Sequence, residues 1–340
     1  MVRVGIIGAS GYTGAELLRI ASQHPDYEVV VATGDTQAGT LAASLYPSLA
    51  VTYPNLVFTE FDLAAVEGLD LVFLGLPHEA SMELAPQLVG RVGCVVDLSA
   101  AYRLKDASLY PTWYGFEHDQ PELLAEAVYG LPELFRSELK GARLIATPGC
   151  HVTAASLALQ PLVDQGIINT TGVIVNNATG ISGAGRALKH SSMFCTVDEN
   201  YEAYGLIDHR HTPEIEQVVG AQVLFTPHLA PMNRGIFSTC YARPADGVKV
   251  TTESLLATLA RTYANEPFVV VRPTPPSTKA TLGTNSVHLS ARFDARTGAV
   301  VVLCALDNLA KGASGGAVQA ANVALGLPET AGLATVGLYP

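Results

Sequence analysis

The 340-residue chain has one tryptophan, four methionines and only five cysteines, and it lacks any long basic run. The cysteines, at 94, 150, 195, 240 and 304, are odd in number and far apart, with no CxxC pair or metal-finger spacing. This argues against a disulfide framework or a metal site and fits a reducing cytoplasm. Apolar runs such as Val300 to Leu306 are too short to span a bilayer, and no signal-peptide layout precedes Val2, so no membrane partner is expected. Lys and Arg number 20 against 31 Asp and Glu, a net charge of −11, which disfavours nucleic acid as a partner. What remains, 49% hydrophobic and 15% charged with 31 glycines and 20 prolines, is an ordinary globular α/β balance. The length suggests about two domains.

The β-branched run Val2 to Ile7 ends in Gly8-Ala9-Ser10-Gly11-Tyr12-Thr13-Gly14, and an amphipathic helix from Ala15 to Gln23 follows. Strand, glycine-rich turn and helix in this order form a dinucleotide-binding unit. Gly8 permits the turn, Gly11 lets backbone approach a pyrophosphate, and Gly14 lets the helix pack on the strand. Further apolar runs at 28–33, 69–74 and 94–98 suit a parallel sheet buried on both faces. The segments beyond their ends, with Thr33, Pro77 and Arg103, are expected to face the ligand. Asp35 follows the second strand, where an acid favours a ribose 2′-hydroxyl and opposes a 2′-phosphate. NADP and NAD both stay open at this point.

Cys150 follows the turn Thr147-Pro148-Gly149, and the apolar stretch from His151 to Leu162 reads as a buried helix. A thiol at a helix start meets unpaired N–H groups that favour the thiolate, so Cys150 is a nucleophile candidate. Ser182, Gly183 and Arg186 lie in a loop after the strand 172–177 and could cradle phosphate or carboxylate. Thr212 is the expected N-cap of a helix with Pro213 at its first position, and His209 and His211 lie just before it. If that stretch is extended, the two imidazoles share a side. Either is a proton donor and acceptor for a thiol. No partner ligands for a metal are nearby, so no metal is expected.

These pieces together resemble the N-acetyl-γ-glutamyl-phosphate reductase family, relatives of aspartate-semialdehyde dehydrogenase. The residues that carry the likeness are GASGYTGAELLR (8–19), GLPHEAS (75–81), PGC (148–150), SGAGR (182–186), HRHTPEIEQ (209–217), TPHLAPMNRG (226–235) and DNLAKGASGGAVQAAN (307–322). The resemblance implies a Rossmann-type nucleotide domain over 1–147, to which 312–340 returns. It also implies an α+β catalytic and oligomerisation domain with a mixed sheet over 148–311. It implies NADPH-dependent reduction of an acyl phosphate through a Cys150 thioester, in arginine biosynthesis, by a homo-oligomer (dimer or tetramer). Gly8, Ser10, Gly11, Tyr12, Thr13, Gly14, Thr33, Pro77, Ser182 and Gly183 would hold the cofactor, with NAD not excluded. Arg103 and Arg186 lead the substrate-binding candidates, ahead of Arg210, Arg234 and Lys279. His211, beside the helix start, is preferred over His209 as acid and base. Three stretches depart from the family pattern: Thr147, His151 and Val152 stand where Asn, Tyr and Pro are frequent, Thr33-Gly34-Asp35-Thr36 lies where a 2′-phosphate site is frequent, and Thr284-Asn285-Ser286 replaces a Ser-Asn-Tyr-like sequence. The alternatives are a carrier-linked aminoadipyl-phosphate reductase of lysine biosynthesis and a non-catalytic nucleotide-binding redox sensor.

Overall fold

The computed structural model describes residues 1–339, which form two compact units. The first comprises Met1–Pro148 and Ala313–Leu333, and the second Gly149–Gly312 and the residues from Ala334 onward. That last stretch goes with the second unit, where 312–340 was expected to return to the first. Its backbone is held there: Asn285 N donates to Ala334 O at 2.9 Å and Leu338 N to Leu282 O at 3.0 Å.

The first unit is built on strands β1 (Val2–Ile7), β2 (Tyr27–Ala32), β3 (Leu71–Leu74), β4 (Cys94–Asp97), β5 (Val128–Tyr129) and β6 (Leu144–Ala146). They run parallel in the order β2-β1-β3-β4-β6-β5. Alternate side chains feed two cores. Val4, Ile6, Phe73, Val96 and Ile145 pack with the helices Tyr12–Ala21 and Gly315–Ala324. Ile7, Val72, Leu74, Val95 and Leu144 pack on the opposite face with the helix His78–Leu88. Burial on both faces explains why the central strands β3 and β4 read as short apolar runs.

The second unit carries β7 (Val173–Gly180), β8 (Glu202–Ala203), β9 (Val223–Ala230), β10 (Ile236–Ala242), β11 (Val269–Val271), β12 (Val287–Asp294) and β13 (Ala299–Leu306). The sheet order is β11-β12-β13-β10-β7-β9-β8, with β11/β12 and β7/β9 parallel and the other pairs antiparallel. The architecture is therefore α/β with a parallel and a mixed sheet. The helix Cys150–Asp164 lies on one face of the mixed sheet, against β10 and β13.

Two helices run through a proline. A proline supplies no N–H, so the carbonyl four residues earlier is orphaned. For Pro161 that carbonyl is Leu157 O, which accepts from Tyr263 Oη at 2.7 Å. For Pro86 it is Met82 O, which accepts from Tyr102 Oη at 3.0 Å. A tyrosine hydroxyl replaces the missing bond in each case, so the helix that starts at Cys150 continues to Asp164. Among the described residues no helix is long and apolar enough to cross a membrane.

Candidate active site

In the first unit β1 delivers the chain to Gly8, whose φ of +86° makes the turn. A Cβ on Gly14 would fall 2.4 Å from Ala9 Cα, so only glycine lets the helix start this close to the strand. Gly11 caps the helix Tyr12–Ala21 without any side-chain hydrogen bond, leaving first-turn amides to a ligand. A Cβ on Gly11 would make only an ordinary contact, 3.5 Å from Gly8 O. The loop therefore fits a pyrophosphate.

Ser10 and Thr33 brace this loop: the Ser10 hydroxyl donates to Gly34 O at 3.1 Å, and Thr33 Oγ1 accepts Gly8 N–H at 3.1 Å. Tyr12 and Thr13 begin the helix, and Pro77 caps the helix His78–Leu88 just beyond β3. Asp35 sits exposed, at φ +46°, in the turn after β2. Arg103 is buried, and its guanidinium donates to Thr147 O at 2.6 Å and Leu98 O at 2.9 Å. It ties together the segments that follow β4 and β6.

In the second unit Cys150 is the first residue of its helix, with Gly149 as the extended N-cap. Glu214, fully buried in the first turn of the helix Thr212–Val219, accepts Gly149 N–H at 3.0 Å. His211 caps that helix, one residue earlier than expected. Its ring lies so close that a Cβ on Gly149 would be 2.4 Å from Nε2. His209 and His211 do share a side, with ring centroids 4.8 Å apart, although a turn rather than an extended stretch puts them there. His211 N–H donates to His209 Nδ1 at 3.1 Å.

His151 joins them from the thiol's own helix, its centroid 5.6 Å from His209 and 5.5 Å from His211. Its Nδ1 is 3.2 Å from Asn177 Nδ2 and its Nε2 is 2.9 Å from Tyr204 Oη. Burial, reinforced by His209, lowers the His151 pKa to about 3. Burial, then the Arg210 charge, lowers that of His209 to about 4. Both rings are therefore neutral near pH 7, each with Nδ1 accepting and the proton on Nε2. Nitrogens of the three imidazoles lie within 4.8 Å of one another, a spacing a metal could use. With these protons, His151 and His209 turn N–H groups rather than lone pairs to their neighbours.

A cavity of about 390 Å³ opens at the thiol, with Cys150, Gly183, Lys189, Tyr204, Arg210 and His211 among its lining. Ser182 is beside it, accepting from Asn308 Nδ2 at 3.0 Å. Arg186 is exposed and is not part of the lining; Lys189 and Arg210 bring the positive charge instead. Arg234 is held by the fully buried Asp307 at 2.9 Å. Of the other cysteines, burial pushes Cys94 and Cys240 up to about 12 and Cys304 well above its usual value, while Cys195 is exposed away from this lining. Only Cys150 combines a helix start, a cavity and adjacent imidazoles.

Glu214, Lys189, Asn177 and Tyr204 were not picked out from sequence. Glu214 had a signal, an acid in a first turn next to two histidines. The other three come from separate segments and had none.

Two family models cover almost the entire chain. Residues 3–142 match the semialdehyde dehydrogenase NAD binding domain, and residues 150–308 match the semialdehyde dehydrogenase dimerisation domain. The first unit thus holds a nicotinamide dinucleotide site of semialdehyde-dehydrogenase type, and the class is that of the NAD(P)-linked semialdehyde dehydrogenases. The solved aspartate semialdehyde dehydrogenase II of Vibrio cholerae, complexed with ASA, has the same fold, with a TM-score of 0.69 and 17% identity over 95% of this chain and 98% of that one. An aspartate semialdehyde dehydrogenase with NADP from Candida albicans matches equally, at a TM-score of 0.69 and 17% identity over the same shares. Sequence relatives narrow the assignment. The N-acetyl-gamma-glutamyl-phosphate reductases of Pelotomaculum thermopropionicum and Symbiobacterium thermophilum are 47% and 45% identical, each over 100% of this chain and 99% of their own length. The chain belongs to the N-acetyl-gamma-glutamyl-phosphate reductase family.

Proposed function

We propose that the protein reduces N-acetyl-γ-glutamyl phosphate to N-acetylglutamate 5-semialdehyde and phosphate, with NADPH, in arginine biosynthesis. The observation that carries the reading is Cys150 at its helix start, facing a cavity shared with His211, Arg210 and Lys189. The unit from Gly149 to Gly312 supplies the chemistry, and the glycine-loop unit holds the cofactor.

His211 takes the Cys150 proton, because His209 and His151 have their Nδ1 lone pairs engaged and pKa values far below neutral. The thiolate attacks the acyl carbon; a C–S bond forms, the C–O bond to phosphate breaks, and phosphate takes its proton from solvent. Backbone amides at the helix start hold the tetrahedral oxyanion, while Glu214 fixes the Gly149 peptide. When bound, the reduced nicotinamide is the hydride donor to the thioester carbon. His211 then returns its proton to sulfur as the C–S bond breaks and the aldehyde leaves. Arg210 and Lys189 meet the substrate's anionic groups, with Arg186 on the adjoining loop. Arg103, held on carbonyls, keeps the loops beyond β4 and β6 in place.

Asp35 makes the cofactor preference a test rather than a premise, since its carboxylate opposes a 2′-phosphate. A cytoplasmic homo-oligomer, dimer or tetramer, fits the reduced cysteines and the dimerisation-domain match. The deciding experiment runs the reaction backwards: enzyme, N-acetylglutamate 5-semialdehyde, phosphate and NADP, with NAD and Cys150→Ser alongside. Phosphate-dependent nicotinamide reduction that disappears in the variant is expected. A folded, cofactor-binding enzyme that shows no turnover refutes the substrate.

A further inference from the structure

We infer that His151 and Asn177 form a directional hydrogen-bond relay that makes Tyr204 a donor to a substrate oxygen in the Cys150 cavity. The inference rests on the reading above for its substrate, and on the hydrogen-bond geometry and burial of His151 for its direction.

Asn177 is fully buried on β7, and its amide nitrogen lies 3.2 Å from His151 Nδ1 and 3.4 Å from the His151 carbonyl oxygen. The second contact fixes which way the amide faces. Turned over, Oδ1 would oppose a carbonyl oxygen, lone pair against lone pair. Nδ2 is therefore the donor, and His151 Nδ1 the acceptor. A neutral imidazole that accepts at Nδ1 carries its proton at Nε2. Burial keeps His151 neutral through the physiological range. The Nε2 proton points at Tyr204 Oη, 2.9 Å away, so the tyrosine oxygen is the acceptor in that bond.

The phenol proton is thereby left over. No acceptor for it exists among the described residues, and Tyr204 lines the cavity with Cys150. Burial raises the Tyr204 pKa, with Cys150 as a further cause, so the hydroxyl keeps its proton while the nucleophile is a thiolate. Tyr204 then offers a fixed O–H to an oxygen of the acyl phosphate. Asn177 lies outside the cavity lining, and His151, whose two ring nitrogens are taken up by Asn177 and Tyr204, acts with it as a positioning residue. The relay belongs to this chain's histidine at 151. A tyrosine at that position has no ring nitrogen to pass direction from Asn177 to Tyr204.

Two measurements test this. The first is a double-mutant cycle of Tyr204→Phe and His151→Phe. Tyr204→Phe is expected to lower kcat/KM by ~10–100-fold. His151→Phe should lower it to a similar degree in the wild type but by less than about 2-fold when Tyr204 is already phenylalanine. Equal losses in both backgrounds would overturn the relay. The second is the ¹⁵N spectrum of the imidazoles in the intact wild-type enzyme, which needs neither turnover nor a variant that folds. A bare Nδ1 and a protonated Nε2 on His151 are expected, and the opposite tautomer overturns the inference. Wild-type enzyme that fails the reverse assay while showing the expected tautomer refutes the substrate and leaves the direction of the relay standing.

Discussion

Glu214 places a buried carboxylate against the Gly149 N–H, one residue before the nucleophile. A buried hydrogen bond to a charged acceptor contributes about 1.5–3 kcal/mol. Glu214→Gln is isosteric but puts only a neutral acceptor there, or turns a donor toward the amide. It should slow Cys150 alkylation at pH 7 and lower kcat by ~10–100-fold with a smaller change in KM, since it disturbs the thiol's helix start. Gly149→Ala should be more severe, because its Cβ would stand 2.4 Å from His211 Nε2. Acid behaviour follows from the lowered imidazoles. Above pH 6.5 His151 and His209 are neutral whether the chain is folded or unfolded. Below it the unfolded chain binds protons that the folded chain refuses until about pH 4 for His209 and about pH 3 for His151. Stability should therefore fall steadily as the pH drops from 6.5 toward 4. A Tm series from pH 7.5 to 4.5 checks it, and His151→Phe should give a shallower slope.

Individual elements show where sequence patterns suffice and where they stop. β1, β2, β3 and β4 were legible as apolar runs, whereas β5 and β6, of two and three residues, were too short to register. β9 was not legible either, because Pro227 sits within it. The strand tolerates this proline because its carbonyl still accepts Tyr204 N–H, at 3.1 Å. The helix after Cys150 was expected as far as Leu162 and continues to Asp164, its break at Pro161 made good by Tyr263, 106 residues from Leu157 in sequence. Nothing local announces such a contact. Tyr263→Phe should cost about 1–3 kcal/mol in denaturant unfolding, the cost of leaving Leu157 O unpaired. A loss within 0.3 kcal/mol would mean that the helix end does not need that hydroxyl. In the site, Cys150, His209 and His211 were legible because helix-start signals mark them. The relay was not, because Asn177 and Tyr204 lie 26 and 53 residues beyond His151.

At the scale of the molecule, one face of the mixed sheet carries exposed apolar side chains. Leu224, Ile174 and Tyr241 form a cross-strand row over β9, β7 and β10, and are 55%, 36% and 38% exposed. Their neighbours Val175, Phe225 and Cys240 point to the other side and are buried. A second copy of the chain is the expected cover, given the dimerisation-domain match. Leu224→Glu should shift the protein toward monomer in size-exclusion chromatography with light scattering, whereas wild type should elute as a multiple of the chain mass.

The chain passes between its two units three times, at 148/149, 312/313 and 333/334. On a ribosome this ordering has a temporal meaning. The first unit lacks the helix Gly315–Ala324, whose Ala317, Val318, Ala320 and Ala321 fill its core, until residues 149–312 of the second unit have been made. The second lacks the backbone partners of Asn285 and Leu282 for longer still. The first core cannot close while the second unit is being made, so the nascent protein carries that unfinished hydrophobic surface throughout.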